Sequence, residues 1–446
     1  MVAEINQTIH KEARNERTVR QALTPIAGAA VGNILEWFDY SIYGYLAATI
    51  AVVFFPSDDP SISLMAAFAG FAVAFVSRPF GALFFGSMGD RIGRRDTLVI
   101  VVTLISVSTF FVGVLPGFAS IGIAAPVLLI LLRLLQGFSA GGEAGGAVTF
   151  LAEYAPTARR GFVVGFYNVS GFLGAFLGSC LIYSIINTFS TETLTSWAWR
   201  LPFLVAGPIG IAALWLRLKI EDTPVFRESQ AQDQITRTPI RQALSSYKVR
   251  IAQCTGIAAA HGVPYYLILV YFPSVFTTTG IIDERGAIFS TGLAFLAAIA
   301  IVPAGAAMSD WIGRKPVALF PAIVYLVAAI PLFELLNSHP SQYAVIAVMI
   351  GMGLMLGIYG GAPFAMMAEL FPTRARYSAM SIGYNLAGVL FAGTTPFVSS
   401  ALVRMTGNPV APAYYLMFCA ALAILSIVTS PETARVPMQE LGRKTH

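Results

Sequence analysis

The chain has 446 residues, of which 56% are apolar and only 11% charged. That leaves too little polar surface for a domain in water, so lipid is the expected solvent. The net charge of +5 follows from loops that lie at one membrane face, and nucleic-acid binding is not expected.

A bilayer span takes about 20 apolar residues, and twelve such runs are expected. They are 27–55, 62–88, 97–115, 125–151, 162–188 and 199–217, then 251–278, 287–308, 316–337, 343–367, 378–403 and 411–430. Residues 1–26 carry Lys11, Arg14, Arg17 and Arg20, and the run behind them is too long for a signal-peptide core, so it reads as an uncleaved first span.

Charges inside a membrane are costly, and each embedded ionisable group is a candidate for function. The first span carries Glu36 and Asp39, three residues apart and so on one helical face near mid-depth. Two carboxylates this close resist ionising together in a dry site, which makes one of them a candidate proton carrier; permanent pairing with arginine is the alternative. Arg78 precedes Pro79 in the second span and could bind a carboxylate or neutralise Asp39. The fourth span holds Arg133 and then Glu143, flanked by Gly141, Gly142, Gly145 and Gly146, where another helix can approach closely. Glu143 requires a partner, either in coupling or in a helix-locking salt bridge. The second half carries His261 alone as an embedded ionisable group, with Tyr265, Tyr266, Tyr359, Tyr384 and Asn385 as possible parts of an aromatic and polar wall. Aromatic faces suit a cationic group, by about 0.5–2 kcal/mol; helix packing is the plainer role for any single tyrosine. Cys180, Cys254 and Cys419 lie in apolar runs without paired or metal-ligand spacing, so no disulfide, metal or cofactor is expected.

The loops repeat. GDRIGRR at 89–95 corresponds to SDWIGRK at 309–315, aligning Asp90, Gly93 and Arg94 with Asp310, Gly313 and Arg314. AEYAPTARR at 152–160 echoes AELFPTRAR at 368–376, and EDTP after the sixth span echoes PETA after the twelfth. The expected organisation is a segment 1–26, a six-helix bundle 27–217, a basic linker 218–250, a second bundle 251–430 and a tail 431–446. With the amino terminus inside, the basic loops fall on the cytoplasmic side, as the positive-inside rule requires, and both termini are expected there. Asp90 and Asp310 could cap a helix or pair with Arg94 and Arg314, Gly93 and Gly313 fit tight turns, and Glu153 and Glu369 could pair with neighbouring loop arginines, together forming a gate. Where the first copy has Gly86 the second has Ala306, so closer helix approach is expected in the first half.

GDRIGRR, RLLQGFSAGGE and SDWIGRK resemble the signature motifs of the major facilitator superfamily. GNILEWFDY, SRPFG, AEYAPTARRGF, WRLPF and PAYYLM resemble its metabolite:proton symporter family, with 378–417 most similar to the proline/betaine members. The resemblance implies an all-α membrane protein of twelve transmembrane helices in two pseudo-symmetric six-helix bundles. It implies import of a small carboxylate-bearing solute with protons across a bacterial cytoplasmic membrane, by a monomer, and Arg133 facing the first span to modulate a proton-binding carboxylate. Glu36, Asp39, Arg133 and Glu143 are then the proton-coupling candidates. Arg78, Arg133, His261, Tyr265, Tyr266, Tyr359, Tyr384 and Asn385 are the substrate candidates. Two embedded arginines against three carboxylates suit a monocarboxylate or zwitterion better than a tricarboxylate. An uncoupled facilitator or exporter keeps the same fold. No GxxxxGK[ST], HExxH or GxSxG pattern occurs in a cytoplasmic or embedded position, so an enzyme is not expected.

Overall fold

The computed structural model describes residues 23–218, 245–338, 340–438 and 440–441. By length and composition eleven helices can cross a bilayer, and a broken pair makes a twelfth. In chain order they are α1 (Leu23–Tyr45 and Ala47–Phe54), α2 (Pro60–Ile92), α3 (Arg94–Val114), α4 (Ala124–Tyr154), α5 (Arg160–Thr188) and α6 (Arg200–Leu218). The second set is α7 (Lys248–Thr278), α8 (Glu284–Ile312), α9 (Arg314–Asn337), α10 (Gln342–Glu369), α11 (Arg376–Thr406) and α12 (Ala411–Thr429).

The first span is broken: its two parts meet at 70°. Backbone hydrogen bonds continue through the bend, from Leu46 N to Ile42 O at 3.0 Å and from Ile50 N to Leu46 O at 2.8 Å. Gly44, Ala47 and Ala48 surround it, and short side chains leave the axis room to turn.

Small residues set the packing inside each half. Gly137 and Gly141 of α4 lie against the backbone of α2 at Ala74 and Arg78, and Gly353 and Gly357 of α10 lie against Ala294 and Ala298 of α8. These are equivalent helix pairs in the two halves, each closed by glycines four apart on one face. The first bundle joins α1 to α5, α2 to α4 and α3 to α6, and the second joins α7 to α12, α8 to α10 and α9 to α12. The bundles meet where α5 packs on α8 and where α11 packs on α2 and α4. Ala306 does not hold these helices apart, because Gly165 opposite supplies the room that a glycine at 306 would have given.

The turns after α2 and α8 need a backbone that L side chains rarely adopt. Gly93 has φ 115° and Gly313 φ 109°, so glycine is required there for conformational reasons. These loops, with the α4–α5 and α10–α11 connections, define one end of the molecule, called here the basic end.

Candidate functional site

Two ion pairs sit side by side near the middle of α1. Glu36 Oε1 lies 3.0 Å from Arg78 Nη2, and Asp39 Oδ2 lies 2.8 Å from Arg133 Nη1, with all four side chains buried. Arg78 thus neutralises Glu36, which corrects the expectation that Asp39 might be its partner. One helical turn separates the carboxylates, and α2 and α4 reach α1 at different levels.

The carboxylates of the two pairs differ in completeness, while of the arginines it is Arg133 whose Nε and Nη2 lack hydrogen-bond partners among the described residues. Asp39 accepts a second bond from Gln136 Nε2 at 2.8 Å; Gln136 also donates to Thr109 at 2.8 Å and accepts from Arg133 at 2.9 Å. Arg133 lies over the Tyr43 ring at 4.2 Å. Glu36 makes its one ionic contact, yet neither of its oxygens has a hydrogen-bond partner among the described residues. Arg78 is shared, donating from Nε to Asn385 Oδ1 at 3.0 Å and from Nη1 to Tyr40 at 3.2 Å. Asn385, on α11 of the other bundle, is itself fixed by bonds to Gly141 O at 2.9 Å and Ser381 O at 2.8 Å.

Arg78 and Asn385 line a cavity between the bundles together with Trp37, Phe75, His261, Tyr266 and Tyr384. The free space is ≈ 20 Å³, about one water molecule's worth, so this is a closed state that must open to take a solute. Wide π-type turns at Leu267–Tyr271 in α7 and Gly388–Ala392 in α11 adjoin this wall, a distortion often found at functional sites. The His261 Nε2 and the Tyr265 and Tyr266 hydroxyls are buried without partners among the described residues. Buried polar atoms are normally satisfied; of these three groups, His261 and Tyr266 line the cavity.

Not every sequence candidate reaches this wall. Tyr265 packs behind it, its ring 4.4 Å from Trp37 and 5.1 Å from Phe295. Tyr359 is not among the residues lining the cavity, and its hydroxyl donates to Ile257 O at 2.7 Å. Glu143 finds its partner in Arg217 on α6, within its own bundle. Arg217 also donates to Gly28 O and Leu98 O at 2.9 Å each. Sequence reasoning missed Arg217 and Trp37. Arg217 sits in the last turn of an apolar helix, a place usually explained by the membrane surface, and Trp37 lies between the two carboxylates that drew attention from it.

At the basic end the equivalent loops clasp each other. Arg160 Nη1 meets Glu369 Oε1 at 2.8 Å and Arg376 Nη1 meets Glu153 Oε1 at 2.9 Å. The arginine of each repeat therefore pairs with the glutamate of the other. Asp310 accepts from Gly161 N at 2.7 Å and Phe162 N at 2.8 Å, capping α5 across the interface, and also holds Arg314 at 2.7 Å. Arg314 reaches Glu369 at 3.0 Å. The tail joins in, with Thr433 donating to Glu369 at 2.5 Å and Glu432 accepting from Arg314 N at 2.9 Å. The side chains of Asp90 and Arg94 lie outside the described residues.

Buried ion pairs at mid-depth, an inter-bundle cavity and a clasp at one end define a major facilitator transporter. Residues 26–444 match the model of the sugar (and other) transporter family, and the chain belongs to that family. It is a multi-pass membrane transporter, not an enzyme. It is 35% identical over 430 residues to the proline/betaine transporter of Escherichia coli K12, covering 94% of this chain and 85% of that one. It is 32% identical to the citrate-proton symporter of Klebsiella pneumoniae, covering 89% and 88%. The structure of the proton:xylose symporter XylE bound to 6-bromo-6-deoxy-D-glucose superimposes with a TM-score of 0.80 at 18% identity, over 96% of this chain and 99% of that chain. That last likeness concerns the fold.

Proposed function

We propose that the protein is a proton-coupled symporter that imports a small carboxylate-bearing solute, a zwitterion such as proline or betaine, by alternating access. The observation that carries this reading is the incomplete Glu36–Arg78 pair on the wall of the closed cavity. Arginine stays charged and accepts a carboxylate in a two-pronged geometry. A solute carboxylate takes Arg78 from Glu36, and the released Glu36 is neutralised by a proton. Each half-loaded state buries an uncompensated charge, Glu36 with solute alone and Arg78 with the proton alone, so only the empty and the fully loaded forms cross cheaply and solute and proton cross together. Trp37, Phe75, Tyr266 and Tyr384 offer ring faces to the cationic end of the solute, and His261 offers a nitrogen for a hydrogen bond. Asp39 and Arg133 fix α1 against α4 and hold the site's charge balance, in keeping with the family role that the resemblance implies for Arg133.

The two bundles, 27–217 and 251–430, rock about this site. Arg160, Glu153, Asp310, Arg314, Glu369 and Arg376 latch the basic end shut; opening it releases the solute. The distribution of Lys and Arg supports a cytoplasmic location for that end and for both termini. The relatives' names support a bacterial inner membrane, and the protein works as a monomer.

Reconstitution in liposomes tests this. Labelled proline, betaine and citrate are offered with and without an inward proton gradient. Gradient-driven accumulation of proline or betaine, abolished by uncoupler and lost in Glu36→Gln while exchange persists, is the expected result. Uptake that only equilibrates, whatever the gradient, makes the protein an uncoupled facilitator and overturns the coupling.

A further inference from the structure

Glu143 stands outside the cavity and is not needed to bind a solute, yet it is a fully buried carboxylate with one oxygen, Oε2, that has no hydrogen-bond partner among the described residues. Its position relative to Glu36 is fixed by Gly32. A Cβ built on Gly32 would lie 2.7 Å from Glu143 Oε1 and against Arg217 Nη2. The Glu143–Arg217 pair therefore rests directly on the α1 backbone at residue 32. Gly32 and Glu36 are four residues apart on one helical face, about 5–6 Å, and glycine leaves no side chain between them. Tyr167 of α5 sits at this level, its carbonyl accepting from Asn33 Nδ2 at 2.6 Å, and its buried hydroxyl also has no partner among the described residues. Along α1 the carboxylates thus form a ladder of Asp39, Glu36 and Glu143, each with its own arginine.

The ladder leads to the basic end. Arg217 donates to Leu98 O, four residues into α3, so the third rung lies about 6 Å from the end of that helix. The way out is covered by Tyr377 of α11, which fills the space against Gly89 and Gly146 and whose hydroxyl donates to Gly142 O at 2.8 Å. Tyr377 belongs to the opposite bundle, next to the Arg376 of the clasp, so parting the bundles at the basic end withdraws it.

We propose that Glu143 is the exit station for the proton taken up at Glu36, reached along the Gly32 face of α1 and uncovered when Tyr377 leaves α4. The transfer is an exchange of one proton between two carboxyls: protonated Glu36 becomes carboxylate as Glu143 becomes protonated, through one intervening water, and Glu143 then releases it to the opened basic side. Among the described residues, Arg217, Tyr167 and Tyr377 are the ionisable groups nearest Glu143 besides Glu36. Arg217 is pinned by two backbone carbonyls and holds the rung in place, so it is a positioning residue. The inference rests on the coupled reading above.

The test uses proteoliposomes of the full chain and a solute that the wild type accumulates, with internal pH followed by a trapped dye. Two measurements are compared: gradient-driven net uptake, which requires proton release, and exchange of labelled for unlabelled solute at equal pH, which does not. In Glu143→Gln with Arg217→Gln, which removes the pair without stranding a charge, net uptake and internal acidification are expected to fall about ten-fold or more while exchange stays within about two-fold. Glu143→Asp is expected to restore part of the net uptake. Net uptake at the wild-type rate overturns the inference, and so does a parallel loss of uptake and exchange in both variants, which makes the pair a structural clamp. A wild type that never accumulates the solute refutes the coupled reading itself, before any variant is compared.

Discussion

The midplane pairs and the clasp at the basic end use the same side chains for opposite purposes. Glu36–Arg78 and Asp39–Arg133 each lie inside the first bundle, whereas Arg160–Glu369 and Arg376–Glu153 each join one bundle to the other. A pair within one bundle can exchange its partner without moving a helix. A pair between bundles cannot open without moving all of them. The acceptors differ accordingly: Glu369 is held by Arg160, Arg314 and Thr433, while both oxygens of Glu36 lack hydrogen-bond partners among the described residues. A saturated site favours one state, and an unsaturated one is ready for a newcomer.

Breaking the clasp tests this contrast most severely. Glu369→Gln leaves Arg160 and Arg314 buried without their shared carboxylate, a loss of about 3–5 kcal/mol from the closed state. A cysteine placed at Tyr384, with the three native cysteines replaced by serine, is expected to react faster with an impermeant thiol reagent applied from the basic side; unchanged reactivity would remove Glu369 from the latch. Asp39→Asn strands Arg133 within the first bundle alone. It is expected to lower thermal stability in detergent by a similar 3–5 kcal/mol, recovered by adding Arg133→Met, without the faster labelling that Glu369→Gln produces.

Smaller changes sharpen the difference between the two midplane pairs. Arg78→Lys keeps the charge but loses the fork, worth about 1.5–3 kcal/mol, so the KM for a carboxylate solute is expected to rise about ten-fold or more. Trp37→Leu is expected to weaken a quaternary ammonium solute by about 0.5–2 kcal/mol, and an organic acid less, in competition assays. Tyr359→Phe removes one hydrogen bond away from the cavity, about 1 kcal/mol of stability, and transport rates are expected to stay at the wild-type level.

The twelve spans and the repeat were legible because apolar length and duplicated loop motifs are local properties of the chain. The clustering of the embedded charges was legible for the same reason, since Glu36 and Asp39 lie one turn apart. Partner choice was not. Arg78 meets Glu36 and Arg217 meets Glu143 because of the depth at which α2 and α6 cross their neighbours, and nothing in SRPFG or in the last turn of α6 states that depth. The bend after Tyr45 escaped for a related reason, because it falls at Leu46, between Gly44 and Ala47, without the proline that would announce one. Tyr359 was drawn into the site by its residue type, and its hydroxyl is taken up by a single carbonyl, Ile257 O, on the adjacent helix.

The crossed pairing at the clasp also limits how the sequence can change. Glu153 and Arg160 belong to one motif but never touch as a charged pair; each answers to the other copy of that motif. Reversing a charge in one copy calls for a change at its opposite number in the other, and at Glu369 for a change at Arg314 as well. The two halves of the chain are bound at this point by the rule that governs a symmetric dimer, in which a patch must be complementary to itself, although here both copies are written into a single polypeptide.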